Sequence, residues 1–182
     1  MTRRELLLRS ARLAGVGAVW AALPARTWAA LPAATGWSPE EEKALDLIGD
    51  TILPETPGSP GAAAIGIGRF IARMTEDCFA PEAGEALRRG LREIEAAARE
   101  SHGREWLRLS VSERESLLTA YEARSKPAGP GGTNPFVHLK RLTLLGYFTS
   151  EQGATKALRY DPVPGTYRGS VPLGPDDRCW AQ

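Results

Sequence analysis

Reactive side chains are scarce in this chain of 182 residues, which contains two histidines, two cysteines and two methionines. A zinc site usually draws three or four nitrogen or sulfur ligands. His102, His138, Cys78 and Cys179 are widely spread, and neither histidine has a second ligand one helical turn away. The spacing C-x-x-C-H that attaches a c-type haem is absent, and so is the cysteine cluster of an iron–sulfur site. Gly66-Ile67-Gly68 is a fragment of a dinucleotide fingerprint without its third glycine or a preceding strand, and it reads as the start of a helix. Ser112 and Ser170 stand in no nucleophile motif. On these grounds the chain is assigned no catalytic, cofactor-binding or metal-binding residue of its own. Sustained alternation and internal repeats are also missing, which argues against a β-sheet protein or a solenoid.

No uncharged apolar run is long enough to span a bilayer. Leu13 to Leu23 covers eleven residues, against the roughly 20 that a hydrocarbon core requires. That length suits the apolar region of a signal peptide, and the flanks agree. Arg3 and Arg4 precede three leucines, Arg9 and Arg12 follow, and Thr27-Trp28-Ala29 offers small residues at positions −3 and −1 for a peptidase. Thr2-Arg3-Arg4-Glu5-Leu6-Leu7 resembles a twin-arginine signal, the address for export of folded proteins. Residues 1–29 therefore read as a leader cleaved after Ala29 or Ala30, addressed to the twin-arginine translocase. Residues 30–182 form one mature domain in the periplasm. Removing the leader takes away five arginines and Glu5, leaving 18 basic against 21 acidic side chains. No basic field remains to attract nucleic acid or an anionic membrane.

Punctuation along the mature part is helical. Ser38-Pro39-Glu40-Glu41 is a capping box with proline at the first helical position. Leu45, Ile48 and Ile52 follow at helical spacing until Pro54. Ile67, Phe70, Ile71, Met74 and Cys78 lie along one helical face. Pro81 opens a third helix with the stripe Leu87, Leu91, Ile94 and Ala98, stopped at Gly103. Ser110 and Glu113 cap a fourth helix, which carries Leu117, Leu118 and Tyr121. Beyond a loop from Ser125 to Asn134, Pro135 starts a fifth helix that is apolar almost all round and hence central. Thr149 or Ser150 caps a short last helix ending near Leu158. From 160 to 182 no period appears, and Asp161-Pro162-Val163-Pro164-Gly165 is extended and stiffened by proline. The expected fold is all-α, a compact bundle of about five or six helices with a long irregular C-terminal tail.

In an oxidising compartment Cys78 and Cys179 are candidates for a disulfide with each other, for a bond to a partner, or for free thiols. Aromatic and proline residues near the end suit docking, because they lose little entropy when they bury surface. Tyr160, Asp161, Pro162, Pro164, Gly165 and Tyr167 are candidate contacts with a partner. Tyr147 and Phe148 fit either such a surface or the chain's own core.

The run Phe136-x-x-Leu139-Lys140-x-Leu142-Thr143-Leu144-Leu145-Gly146-Tyr147-Phe148-Thr149-Ser150-Glu151-x-Gly153-Ala154 leads into Leu158-Arg159-Tyr160-Asp161-Pro162-Val163-Pro164-Gly165. Together with the Ser-Pro-Glu-Glu helix and Asp50-Thr51-Ile52-Leu53-Pro54, it resembles the gluconate 2-dehydrogenase subunit 3 family over residues 37–175. The resemblance implies a small subunit without catalytic residues in a periplasmic or membrane-associated dehydrogenase for sugars, sugar acids or polyols. It implies FAD in a large partner subunit of the glucose–methanol–choline type, an electron acceptor other than NAD or oxygen, and a multihaem cytochrome c. The small subunit is then expected to aid folding, flavin loading and export of its partner. The alternative is a transient export chaperone that leaves its client.

Overall fold

The computed structural model of the chain describes Trp28, residues 36–124 and 135–163 and, in the tail, residues 165–166, 170–172, 174–175 and 177–181. Arg3, Arg4, the rest of the leader region except Trp28, the loop at 125–134, and Pro164 and Tyr167 lie outside the described residues.

Helix α1, Pro39–Ile52, starts as the capping box requires. Ser38 Oγ accepts from the Glu41 amide at 3.1 Å, and Glu41 returns a carboxylate oxygen to the Ser38 amide at 2.8 Å. Leu45 and Ile48 are fully buried, each contributing roughly 1.5–3 kcal/mol by leaving water. The edge of α1 flanking this buried face carries Glu42, Asp46 and Asp50 at four-residue spacing. Asp46 accepts from the Gly68 amide at 2.7 Å, Asp50 from the Ala63 amide at 3.2 Å, and Glu42 meets Arg69 at 3.2 Å. This stripe faces the starts of a short 3-10 turn, Ala62–Ile65, and of α2, Ile67–Cys78. Helix starts expose unsatisfied N–H groups and a positive dipole end, so one acidic edge serves two of them.

The approach of α1 to α2 is close. A Cβ on Gly68 would stand 2.0 Å from the Glu42 carbonyl oxygen, and Gly66 has φ +72°. The two glycines therefore form a helix start, as their sequence context indicates.

Helix α3, Pro81–His102, ends at Gly103 in the left-handed region, φ +64°. The chain then drops Trp106 into the core, 1% exposed, before α4, Val111–Arg124. Helix α5, Pro135–Thr149, is central and packs against α1, α2, α3 and α4. At Gly146 an added Cβ would fall 2.4 Å from the Phe70 ring and 2.6 Å from Ile67, so α2 and α5 meet where only glycine fits. Ser150 then caps a last turn by accepting from the Gly153 amide at 3.0 Å. That turn, Gly153–Ala157, is wound as a π-helix and stops at Leu158. The described residues thus form an all-α bundle.

The tail is irregular, as expected, but its described end is anchored. The Arg159 amide donates to the Cys179 carbonyl at 2.7 Å, and the Ala181 amide donates to the Arg159 carbonyl at 2.9 Å. The Arg159 guanidinium lies 4.0 Å over the Trp180 ring. The segment that departs after Arg159 is an arm tied at its root.

Candidate functional site

The end of α5 meets the root of the arm, and two of the expected contact residues, Tyr147 and Phe148, lie there. Phe148, Leu158 and Cys179 line an open hollow of about 680 Å³ with Leu53, Ser59 and Lys156. On α5, Val137, Leu144 and Phe148 fall on one stripe at helical spacing. Val137 and Leu144 are exposed, as is Leu145 beside them. The stripe runs toward the arm.

On the arm, Tyr160 is 56% exposed, Val163 79%, Val171 56% and Trp180 47%. Asp161 shapes the bend by accepting from the Val163 amide at 3.1 Å around Pro162, and Gly165 has φ +69°. Tyr160, Asp161, Pro162 and Gly165 are all exposed. Proline and these local turns limit the arm's freedom in advance, which lowers the entropy cost of docking.

Tyr147 is a core residue that also reaches the wall of the hollow. It is 3% exposed, and its hydroxyl donates to the Pro60 carbonyl at 2.6 Å while lying 2.5 Å from Ser59 Oγ. The phenol's one proton is committed to Pro60, so the Ser59 hydroxyl donates to it. Phe148 is half-buried, edge-on to Tyr147 at 5.2 Å, and joins core to hollow.

Of the alternatives left open for Cys78 and Cys179, the structure holds free thiols. Both are exposed and free, and no Cys78–Cys179 disulfide is formed. Cys78 ends α2 beside Phe79, whose ring packs on His138 near the start of α5 at 4.8 Å. Cys179 lines the hollow with Phe148. Positions 138 and 148 are separated by roughly 15 Å of helix, whereas a disulfide needs Cα atoms within about 7 Å. The apolar face of α2 runs through Ile67, Phe70 and Ile71 but is spent by its last turn, which leaves Cys78 outside.

The two histidines have different neighbours. His102 Nδ1 is 3.7 Å from Glu113. The Glu113 carboxyl is held below its usual range by hydrogen bonds from the Ser110 amide and hydroxyl, then by Arg104 and His102. His138 has a buried Nε2 without a partner; burial, and then Arg141, push its ring toward the neutral form. Among the described residues no three of His, Cys, Asp and Glu are grouped to hold a metal ion, and no helix is long and apolar enough to cross a membrane.

Sequence reasoning did not find Trp180, which locks the root of the arm, nor Trp28, which packs on the bundle. Neither sits in a periodic segment, so neither carries a local signal. A family model described as gluconate 2-dehydrogenase subunit 3 matches residues 39–165, from the first residue of α1 into the arm. No curated protein and no solved structure matches the chain.

Proposed function

The chain belongs to the gluconate 2-dehydrogenase subunit 3 family, and from that membership we propose that it is the non-catalytic small subunit of a periplasmic FAD-dependent dehydrogenase for a sugar, sugar acid or polyol. Membership gives it a place in a complex beside a catalytic dehydrogenase subunit. The proposal adds that the catalytic subunit is a flavoprotein of the glucose–methanol–choline type. It also adds that the acceptor is neither NAD nor oxygen, with a multihaem cytochrome c receiving the electrons. The small subunit assists folding and flavin loading, and its Arg3-Arg4 leader carries the assembled pair through the twin-arginine translocase.

The observation that carries this reading is the rooted arm with its outward side chains. Tyr160, Val163, Val171 and Trp180 spread apolar surface over a segment whose base is fixed by two backbone hydrogen bonds. Exposed apolar surface on a shaped support marks a place where another chain docks. The exposed stripe of α5 extends the same surface.

The test is co-expression of the full chain with a candidate large flavoprotein subunit from the same genome. Flavin content, periplasmic yield and elution on a sizing column are measured with and without the small subunit. The expected result is a flavin-loaded complex of fixed stoichiometry in the periplasm that is lost when the small subunit or its arginine pair is removed. Equal folding, loading and export of the flavoprotein alone would overturn the proposal. Restored export without co-elution would assign the chain as a transient chaperone.

A further inference from the structure

The hollow beside the end of α5 is walled by segments that are distant in sequence. Leu53 and Pro54 come from the loop after α1, Phe148 and Leu158 from the end of α5 and the turn beyond it, and Arg178 from the returning chain end. Each wall is tied to its neighbour. Reciprocal backbone hydrogen bonds of 2.9 and 3.0 Å between Thr56 and Ser59 close the loop, and the Tyr147 hydroxyl holds it to α5 at Pro60. The chain end is held at Arg159, and the Arg178 guanidinium donates to the Lys156 carbonyl. The lining is mostly apolar, and its charge has one sign. Lys156 and Arg178 both line the hollow and are exposed, while no carboxylate lines it. Glu55 and Asp177 adjoin lining residues in sequence only, and the Asp177 carboxylate is turned to the Gly174 amide at 2.7 Å. Among the described residues neither Lys156 nor Arg178 is in an ion pair.

We propose that this hollow is the seat for an acidic segment of the catalytic subunit, one that sets an apolar side chain against Phe148 and Leu158 and a carboxylate beside Lys156 and Arg178. This rests on the reading of the chain as the small subunit of a dehydrogenase. Charge is the first argument for that occupant. Cations without partners and no lining carboxylate attract an anionic segment and reject a basic one. Both the ammonium and the guanidinium make strong, charge-assisted hydrogen bonds to a carboxylate. Continuity is the second argument. Phe148 belongs both to the α5 stripe and to the hollow, and Leu158 lines the hollow just before the exposed arm begins at Tyr160. A partner lying on stripe and arm therefore meets the hollow between them. Because the walls are already braced, seating a segment there orders little of this chain, which keeps the cost of binding low.

The experiment uses the full chain and a candidate large flavoprotein subunit from the same genome. A carbodiimide joins a carboxylate to a lysine amine it already touches, taking up the water lost, and mass spectrometry identifies the joined peptides. The expected product is an amide between Lys156 Nζ and an aspartate or glutamate of the large subunit that has an apolar residue beside it in sequence. Association rates are then compared for wild type, Lys156→Arg, Lys156→Gln, Lys156→Glu and Arg178→Glu, each with its melt. Reversing either charge is expected to slow association about tenfold at low salt, by a margin that shrinks as salt is added. Lys156→Arg should associate like wild type, and Lys156→Gln should fall between. If Arg178→Glu loosens the chain end and lowers the melt, the Lys156 series decides. Equal association of wild type and Lys156→Glu would overturn the seat, while the intact complex upholds the subunit reading. A Lys156 cross-link to a second copy of this chain, or within the same copy, in place of the large subunit would overturn it too and identify the true occupant. Failure of the wild-type chain to form any complex would overturn the seat and the reading beneath it together.

Discussion

Asp46 is held between opposing demands. Burial raises its carboxyl above the usual range, the Gly68 amide pulls it down, Glu42 pushes it up, Arg69 lowers it and Asp50 raises it again, with a net upward shift. A raised carboxyl favours folding at low pH, and that contribution is lost as pH rises through the folded-state value. Asp46→Asn keeps an acceptor for Gly68 without the charge, so its stability relative to wild type should grow between pH 4 and pH 7 in urea melts. Asp46→Ala leaves the Gly68 N–H unpaired and should cost about 1–3 kcal/mol. His138 runs the other way. Its ring is pushed toward the neutral form by burial and by Arg141, so its contribution is complete above the unfolded value of about 6.5 and is lost as pH falls below it. His138→Leu should therefore melt closer to wild type at pH 8 and gain on it at pH 5. A parallel pair of pH profiles would rule out this account of the buried ring.

The helices were legible because their signals are local. Ser38 with Glu41 and Ser110 with Glu113 cap as their spacing indicates, and Pro39, Pro81 and Pro135 each occupy a first helical position. Ser38→Ala should cost about 0.5–2 kcal/mol in a denaturant melt, without changing the fold. What could not be read came from groups distant in sequence. Glu42, Asp46 and Asp50 look like a solvated face until α2 arrives, 22 residues later, to donate the Gly68 amide. Tyr147 was ambiguous because α5 is apolar on nearly every side, so periodicity selects no inner face. Its burial depends on Pro60 and Ser59, far along the chain. Tyr147→Phe should lower stability by about 1–3 kcal/mol and speed amide exchange in the 54–60 loop, a local readout that a general loosening would not single out. Of the candidate contact surface, the exposed arm residues were legible from composition. The return of Cys179 and Ala181 onto Arg159 was not, since a single bridge leaves no pattern.

The bundle holds the core and the arm holds exposed apolar side chains, so a substitution can address each alone. Val163 is 79% exposed and holds nothing in the bundle. Val163→Asp should leave the melting of the isolated subunit within about 0.5 kcal/mol of wild type while reducing recovery of the flavoprotein in a pull-down. Unchanged recovery would take the arm out of the interface. The crossing of α2 over α5 leads elsewhere, to the natural history of the sequence. With Phe70 and Ile67 both within 2.6 Å of where a methyl group on Gly146 would stand, positions 67, 70 and 146 share one fixed volume. Homologues in which 146 has gained a side chain are expected to have shed bulk at 67 or 70, so the three columns should vary together across the family.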